Sequence, residues 1–278
     1  MAGLERKHQL FSIAPEELII LTTALSEFDP RLRDEALDWC IHYHRYISPI
    51  RLQILAKQHK YYISGPFSKF SRTVNAMTKI RTKWVTLAEG IPFKIRPSGK
   101  SILRDFETPS MICFRLRSLL GTGAGSDVLA FLLSEQPSKF TTSDLLETGY
   151  SKRRLAGILK NFAEAGILSE FYVRNQLYYT FIKQDLLIKL LGGVPKNMVH
   201  WNRILTVLLP IHACLQETED TPIGVRVVDM RNLLQKLASQ LLQMNLTPPP
   251  LQNDFETYWS CVTKWILDFS KSLALGEF

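Results

Sequence analysis

The stretch TTSDLLETGYSKRRLAGILKNFAEAGIL, residues 141–168, decides how the chain is read. It opens with Thr141-Thr142-Ser143-Asp144, where a hydroxyl followed three residues later by an acid satisfies orphan amides at a helix start. The short helix so begun contains Leu145 and Leu146 and stops at Gly149. After a tight turn, Ser151 caps a longer helix in which Leu155, Ile158, Leu159 and Phe162 follow the i, i+3, i+4, i+7 spacing of a one-sided apolar face. Ala165-Gly166 ends it.

Upstream, Val128, Leu129, Leu132 and Leu133 form one stripe of a helix that ends before Pro137. Before that, GTGAGS at residues 121–126 reads as a turn. It lacks the Lys-Ser/Thr of a phosphate-binding loop, and no Asp-x-Asp pair follows Gly125-Ser126 to hold metal ions. Downstream, Ile167 to Val173 and Leu177 to Ile182 read as two strands joined by Arg174-Asn175-Gln176, with Asn175 taking the positive φ.

Helix, short helix, turn, longer helix, hairpin: in that order, residues from about 126 to 183 resemble the winged helix-turn-helix of bacterial regulators of the MarR and ArsR type. The resemblance is carried by Asp144-Leu145-Leu146, by Thr148 to Arg153, by Phe162 and by Ala165-Gly166-Ile167-Leu168. It covers about a fifth of the chain and implies that the longer helix enters the major groove while the hairpin touches flanking backbone. One departure stands out. The hairpin tip offers only Arg174 and no glycine, which makes it a poor phosphate clamp.

A helical wheel supports the same assignment from the residues alone. With the apolar stripe turned inward at about 100° per residue, Arg153, Gly157 and Lys160 point outward, flanked by Arg154 and Asn161. Arg153 or Arg154 suits a guanine edge, Asn161 an adenine, and Lys152 and Lys160 suit phosphates, while Gly157 permits close approach. Ser151 and Tyr150, near the helix N-terminus, are further candidates for phosphate.

The formal charge of +8 is concentrated in one place. From His42 to Arg104 there are thirteen basic residues and one acid, Glu89. The basic set is Arg45, Arg51, Lys57, Lys60, Lys69, Arg72, Lys79, Arg81, Lys83, Lys94, Arg96, Lys100 and Arg104. Such a field attracts a polyanion. Arg72, Lys79, Arg81 and Lys83 are candidate phosphate contacts. Tyr43, Tyr46, Tyr61, Tyr62, Phe67, Phe70, Trp84 and Phe93 are interleaved with this charge, as in proteins that stack bases, or else they pack inward beneath a solvated basic face.

Around this centre the chain reads as helical. Ala14-Pro15-Glu16-Glu17 opens a helix to about Ser26, Asp29-Pro30 another to Tyr46, and Ser48-Pro49 a third to about His59. Ser64-Gly65-Pro66 marks a break, Phe70 to Leu87 reads as helix, and Gly90, Pro92, Pro97 and Gly99 mark a loop. Asn197 to Glu217, Val225 to Met244 and Asn253 to Leu273 make a C-terminal bundle suited to dimerisation. The fold class is mainly α: residues 1–110 a basic, mostly helical N-terminal domain, 111–185 the winged helix-turn-helix, and 186–278 a helical C-terminal domain.

The chemistry of catalysis is missing from the sequence. There is no nucleophile elbow, carboxylate dyad or nucleotide motif, so neither an enzyme nor a cofactor is expected. Cys40 and His44 share a helix face while His42 points away, so one metal ion does not reach all three. His212 and Cys214 lie in an apolar helix and read as core. The four cysteines form no CxxC pair, and Glu16 and Glu17 interrupt any secretion signal, so a cytoplasmic, non-membrane protein is expected. The leading expectation is a transcriptional regulator that binds double-stranded DNA as a homodimer. A protein-binding scaffold of antitoxin type and an RNA-binding module are the alternatives.

Overall fold

The computed structural model describes residues 12–79, 83–103, 106–195 and 199–275. Four helices begin it: α1 (Pro15–Ala24), α2 (Pro30–Tyr43), α3 (Pro49–Gln58) and α4 (Lys60–Met77). The first three start at a proline, which has no amide to leave unsatisfied. Asp29 Oδ1 accepts from the amides of Arg31 and Leu32, both at 3.1 Å, and Ser48 Oγ accepts from Arg51 at 3.3 Å. These helices close over Leu37, Trp39, Leu52, Ile63, Phe67 and Phe70, all buried.

Two expectations fail in this region. Ser64-Gly65-Pro66 does not break the chain: α4 runs through Pro66, and Ser64 Oγ and Ser68 Oγ donate back to the carbonyls of Lys60 and Ser64. Burying Ile63, Phe67, Phe70 and Val74 on one face outweighs the amide that Pro66 lacks. Nor does Phe70 to Leu87 form one helix, because α4 ends at Met77 and residues 83–103 run as an irregular strap over α2 and α4. Asn75 holds that strap through both ends of its amide, donating to the Trp84 carbonyl at 2.9 Å and accepting from its amide at 2.8 Å. Farther along, Asp38 accepts from Ser98 Oγ and from the amides of Gly99 and Ser101.

The central unit comprises α5 (Ile112–Leu120), α6 (Ala124–Glu135), a 3-10 turn at Ser143–Thr148, α7 (Lys152–Glu164) and an antiparallel hairpin, β1 (Leu168–Val173) with β2 (Gln176–Phe181). Phe140 adds a single antiparallel bridge to Tyr179, so a third short extended segment lies beside β2. Gly121 caps α5 at φ 78°, Thr122 and Gly123 link the two helices, and Ala124-Gly125-Ser126 open α6. A helix that went unread, α8 (Gln184–Leu190), lies across the expected 185/186 boundary. It packs Leu187 and Ile188 against Ile112, Leu116, Leu129 and Leu133.

The last unit holds α9 (Trp201–Glu217), α10 (Ile223–Lys236), α11 (Ala238–Gln243) and α12 (Phe255–Leu275). The expected start of its first helix at Asn197 lies outside the described residues. The expected helix from Val225 to Met244 divides at Leu237 into α10 and α11. Most informative is α9, which serves two cores: Leu205 and Leu209 enter the N-terminal one, while Ile204, Val207 and Ile211 join Val227, Met230, Tyr258 and Val262. The fold is mainly α with one small hairpin, and among the described residues no helix is long and apolar enough to cross a membrane.

Candidate nucleic-acid interface

The path into α7 is built from local hydrogen bonds. The amide and hydroxyl of Thr141 both donate to Asp144 Oδ2, at 2.7 and 3.0 Å, and Gly149 turns the chain at φ 82°. Ser151 Oγ accepts from the Arg154 amide at 3.4 Å. Leu155, Ile158 and Leu159 are buried beneath the helix and Phe162 half-buried. Arg153, Arg154, Gly157, Lys160 and Asn161 are exposed on the side the wheel assigns to them, and Lys152 is exposed as well. Arg153, Arg154, Gly157, Asn161, Ser151 and Gly125 line one open depression. A Cβ added at Gly157 meets nothing within 4 Å. Lys160 lies 3.7 Å from Glu164, a solvent-exposed pair that holds the lysine only weakly.

What fixes this helix is a buried ion network that no local rule reveals. Arg117, from α5, donates to Glu16 Oε1 and Oε2 at 2.8 and 2.9 Å, to Asp127 Oδ1 at 3.0 and 2.8 Å, and to the Tyr46 carbonyl at 2.7 Å. Arg51 pairs with Glu17 and donates to the Thr148 carbonyl at 2.6 Å. Tyr150 completes the set. Its hydroxyl donates to Asp127 Oδ2 at 2.6 Å, and the side chain is buried, so the expected contact between Tyr150 and phosphate does not fit this geometry. Burial works to raise the Asp127 pKa, but Arg117, Arg51 and the Tyr150 hydroxyl hold it below the ordinary aspartate value. For Glu16 burial prevails over Arg117 and the pKa rises. Burial and the Asp127 charge together lift the Tyr150 phenol.

No family model, curated protein or solved structure matches this chain.

The hairpin forms where it is expected but closes through a shorter turn. The turn consists of Arg174 and Asn175, with Val173 paired to Gln176, and the positive φ of 56° falls on Arg174 rather than Asn175. β1 starts one residue later than expected and ends at Val173 as expected, and β2 starts and ends one residue earlier than expected. A left-handed conformation costs a side-chain-bearing residue about 1 kcal/mol or more. Arg174→Gly is therefore expected to raise stability by up to about 1 kcal/mol, less the unfolded-state entropy that glycine adds. A urea titration reads the change; a loss of stability would mean that the Arg174 side chain makes a stabilising contact. Beside the turn, Phe171, Tyr172 and Val173 are exposed.

Most of the basic segment's charge is exposed, at Arg45, Lys57, Lys60, Lys79, Lys83, Lys94, Arg96 and Lys100, while Arg51, Lys69 and Arg72 are half-buried. Arg51 is committed to the buried network. Lys83 Nζ donates to the carbonyls of Asn75 and Thr78, at 2.6 and 3.3 Å, so it caps the end of α4 rather than standing free for phosphate. Arg72 is half-buried, reaching the Ala88 carbonyl at 3.5 Å, whereas Lys79 is exposed. Arg81 and Arg104 lie outside the described residues. Of the interleaved aromatics, Tyr46, Phe67, Phe70 and Trp84 are core and Tyr43, Tyr62 and Phe93 are half-buried. Tyr61 alone of the eight is fully exposed, so the segment is not a base-stacking platform.

The residues considered for metal are otherwise engaged. Cys40 is buried, and His42 and His44 hydrogen-bond the carbonyls of Asp38 and Ile41 at 2.7 and 3.0 Å. His212 is half-buried against Phe28, its Nε2 without a partner among the described residues.

Histidines elsewhere set an acid response. Burial lowers the pKa of His59, against the hydrogen bond its ring donates to Asn202 Oδ1, and of His200, against the nearby Glu135. With folded values below the ordinary 6.5, the unfolded chain binds more protons once the pH falls past that value, and stability declines from there. Asp38 and Asp127 have lowered values, so their contribution is kept above the ordinary 3.8 and lost below it. Glu16, raised, opposes this by favouring the fold as it protonates. The expected urea midpoint falls in two stages, the first beginning near pH 6.5. A midpoint constant from pH 7.5 to 5 would contradict the first stage.

Proposed function

We propose that the chain is a DNA-binding transcriptional regulator in which residues 124–182 act as a winged helix-turn-helix and α7 reads the major groove. The observation that carries this reading is the outer face of α7: Arg153, Arg154, Lys160, Asn161 and Gly157, all exposed on a helix whose start is fixed from behind by buried charges. The order α6, Phe140 bridge, 3-10 turn, α7, β1, β2 supports it, because the hairpin sits beside the helix that would enter the groove. In this reading Arg153, Arg154 and Asn161 meet base edges. Lys152, Lys160 and Ser151 meet phosphates, with Arg174, Arg72 and Lys79 adding contacts outside the groove. Two copies of the chain would engage a palindromic site.

The test is selection of bound fragments from genomic DNA by the full chain, followed by titration of the enriched duplex over a range of salt. Enrichment of an inverted repeat is expected, with affinity falling steeply as salt rises through counterion release. Failure to bind any duplex at low salt rejects the proposal.

A second reading has its own observation. Phe171, Tyr172 and Val173 leave apolar surface on the hairpin where a DNA-binding wing carries cations, which favours a protein partner there. Competition decides between the two: a partner that seats on the hairpin alone leaves duplex binding unchanged.

A further inference from the structure

Among the described residues β1 pairs with β2 and with no other strand, while Phe140 covers the far side of β2 at Tyr179. That bridge fixes which main-chain groups of β1 are left open. Tyr179 uses its amide and carbonyl on Phe140, at 2.8 and 3.0 Å, so the facing pair Glu170 and Tyr179 is not hydrogen-bonded, and Glu170 directs its own amide and carbonyl away from β2. Tyr172, two residues on, does the same. The other end of the hairpin gives the same parity, because the Ile182 amide donates to the Ile167 carbonyl at 3.1 Å.

An open edge templates another strand, and proteins ordinarily block it with lysine, proline or a bulge. β1 has none of these: its sequence is LSEFYV, its residues pair with β2 one to one, and Ser169 to Val173 are all exposed. Glu170 and the neighbouring Arg174 cancel, so the edge carries no net charge although the chain has a formal +8, and it does not repel a copy of itself. On the outer face Phe171 stacks on Tyr178, ring centroids 6.0 Å apart, and stays 37% exposed. Apolar surface of this kind beside an unpaired edge fits a further strand.

We propose that β1 pairs antiparallel with β1 of a second copy of this chain, about a two-fold axis at Phe171, so that the two hairpins join in one sheet. Hydrogen-bonded pairing sets outward residues opposite outward residues, which leaves centres at Glu170, Phe171 or Tyr172. A centre at Glu170 puts two carboxylates directly opposite each other, which is destabilising. One at Tyr172 needs Arg174 in the ladder, and its left-handed backbone, φ 56°, has already left the strand. The centre at Phe171 matches Glu170 of each copy with Tyr172 of the other, each pair exchanging both its main-chain hydrogen bonds, and sets the two Phe171 rings side by side. The pairing rests on the hairpin alone and holds whether or not α7 binds DNA.

Sedimentation equilibrium of the full chain tests this from about 1 to 200 µM, a range that spans the weak affinity of an interface below standard size. A monomer–dimer equilibrium is expected. Tyr172→Pro removes one outward amide from each copy and none from the β1–β2 ladder, and Phe171→Lys sets two cations opposite each other. Each should weaken the dimer at least about tenfold while circular dichroism stays unchanged. Disulfide trapping reads the register and keeps the test decisive if either variant does not fold. Oxidised with diamide, Phe171→Cys should cross-link two copies, because the paired Cα atoms lie about 4.5 Å apart, within reach of a disulfide. Ser169→Cys lies roughly 13 Å from its counterpart in this register and should cross-link no faster than the unsubstituted chain. A monomer throughout the range, a dimer undiminished in folded Tyr172→Pro and Phe171→Lys, or equal cross-linking of the two cysteine variants would each overturn the pairing.

Discussion

Arg117→Met should destabilise the protein by about 3–5 kcal/mol, a large fraction of the roughly 5–15 kcal/mol that holds a typical domain together. The guanidinium is 2% exposed and satisfies Glu16, Asp127 and the Tyr46 carbonyl at once. Methionine fills most of the volume, so little of the loss comes from a cavity. The cost comes from two carboxylates left in a dry site without their cation. Arg117→Lys should recover only part of it, because an ammonium cannot present the planar fork that meets Glu16 and Asp127 together. Replacing Glu16, Arg117 and Asp127 together by apolar residues of similar size should restore much more, since no charge is then stranded. Urea titrations of the three variants give the comparison; a loss below about 1 kcal/mol for Arg117→Met would mean that the network is solvated and does not work as described.

That network also marks where sequence reasoning stops. Glu16 and Glu17 satisfy a local rule, acids in the first turn of a helix, and were legible only in that sense. Their true partners sit on α5 and α3, Arg117 being 101 positions from Glu16 and Arg51 34 positions from Glu17. No spacing rule reaches that far. Tyr150 fails for the same reason: its place before a helix suits an anion contact, and only the packed structure turns its hydroxyl toward Asp127. The face of α7, by contrast, was readable because four apolar residues at helical spacing fix the orientation of all the others. At Pro66 a local breaker lost to the burial of four side chains. In the strap, the apolar residues after Met77 mimic a helical period, while the decisive contact is the Asn75 amide gripping the Trp84 backbone. Periodicity could not register it, since it is a side chain that pairs with main chain. Even the hairpin obeyed this division: its existence and length were legible, but which of Arg174 and Asn175 takes the positive φ was not.

The α7 face yields the other large expected effect. Arg153→Ala with Arg154→Ala should weaken binding to the selected duplex by about 2–4 kcal/mol, roughly 30- to 700-fold, if each arginine reads a guanine edge. The pair should leave stability within about 0.5 kcal/mol, because both side chains are exposed and Leu155, Ile158 and Leu159 carry the packing. Lys152→Ala or Lys160→Ala should act differently, weakening all sequences alike and lowering the salt slope by about one each. Gly157→Glu separates the site from the fold most sharply. A Cβ added there meets nothing within 4 Å, and removing a glycine from a helix interior gains up to about 1 kcal/mol, so the protein should become more stable. The same carboxylate would stand where the helix must approach a polyanion, so duplex binding should be lost. A variant that is more stable and no longer binds DNA places the contact on α7. One that is more stable and binds as before removes α7 from the interface, whatever the affinity of the whole chain for DNA.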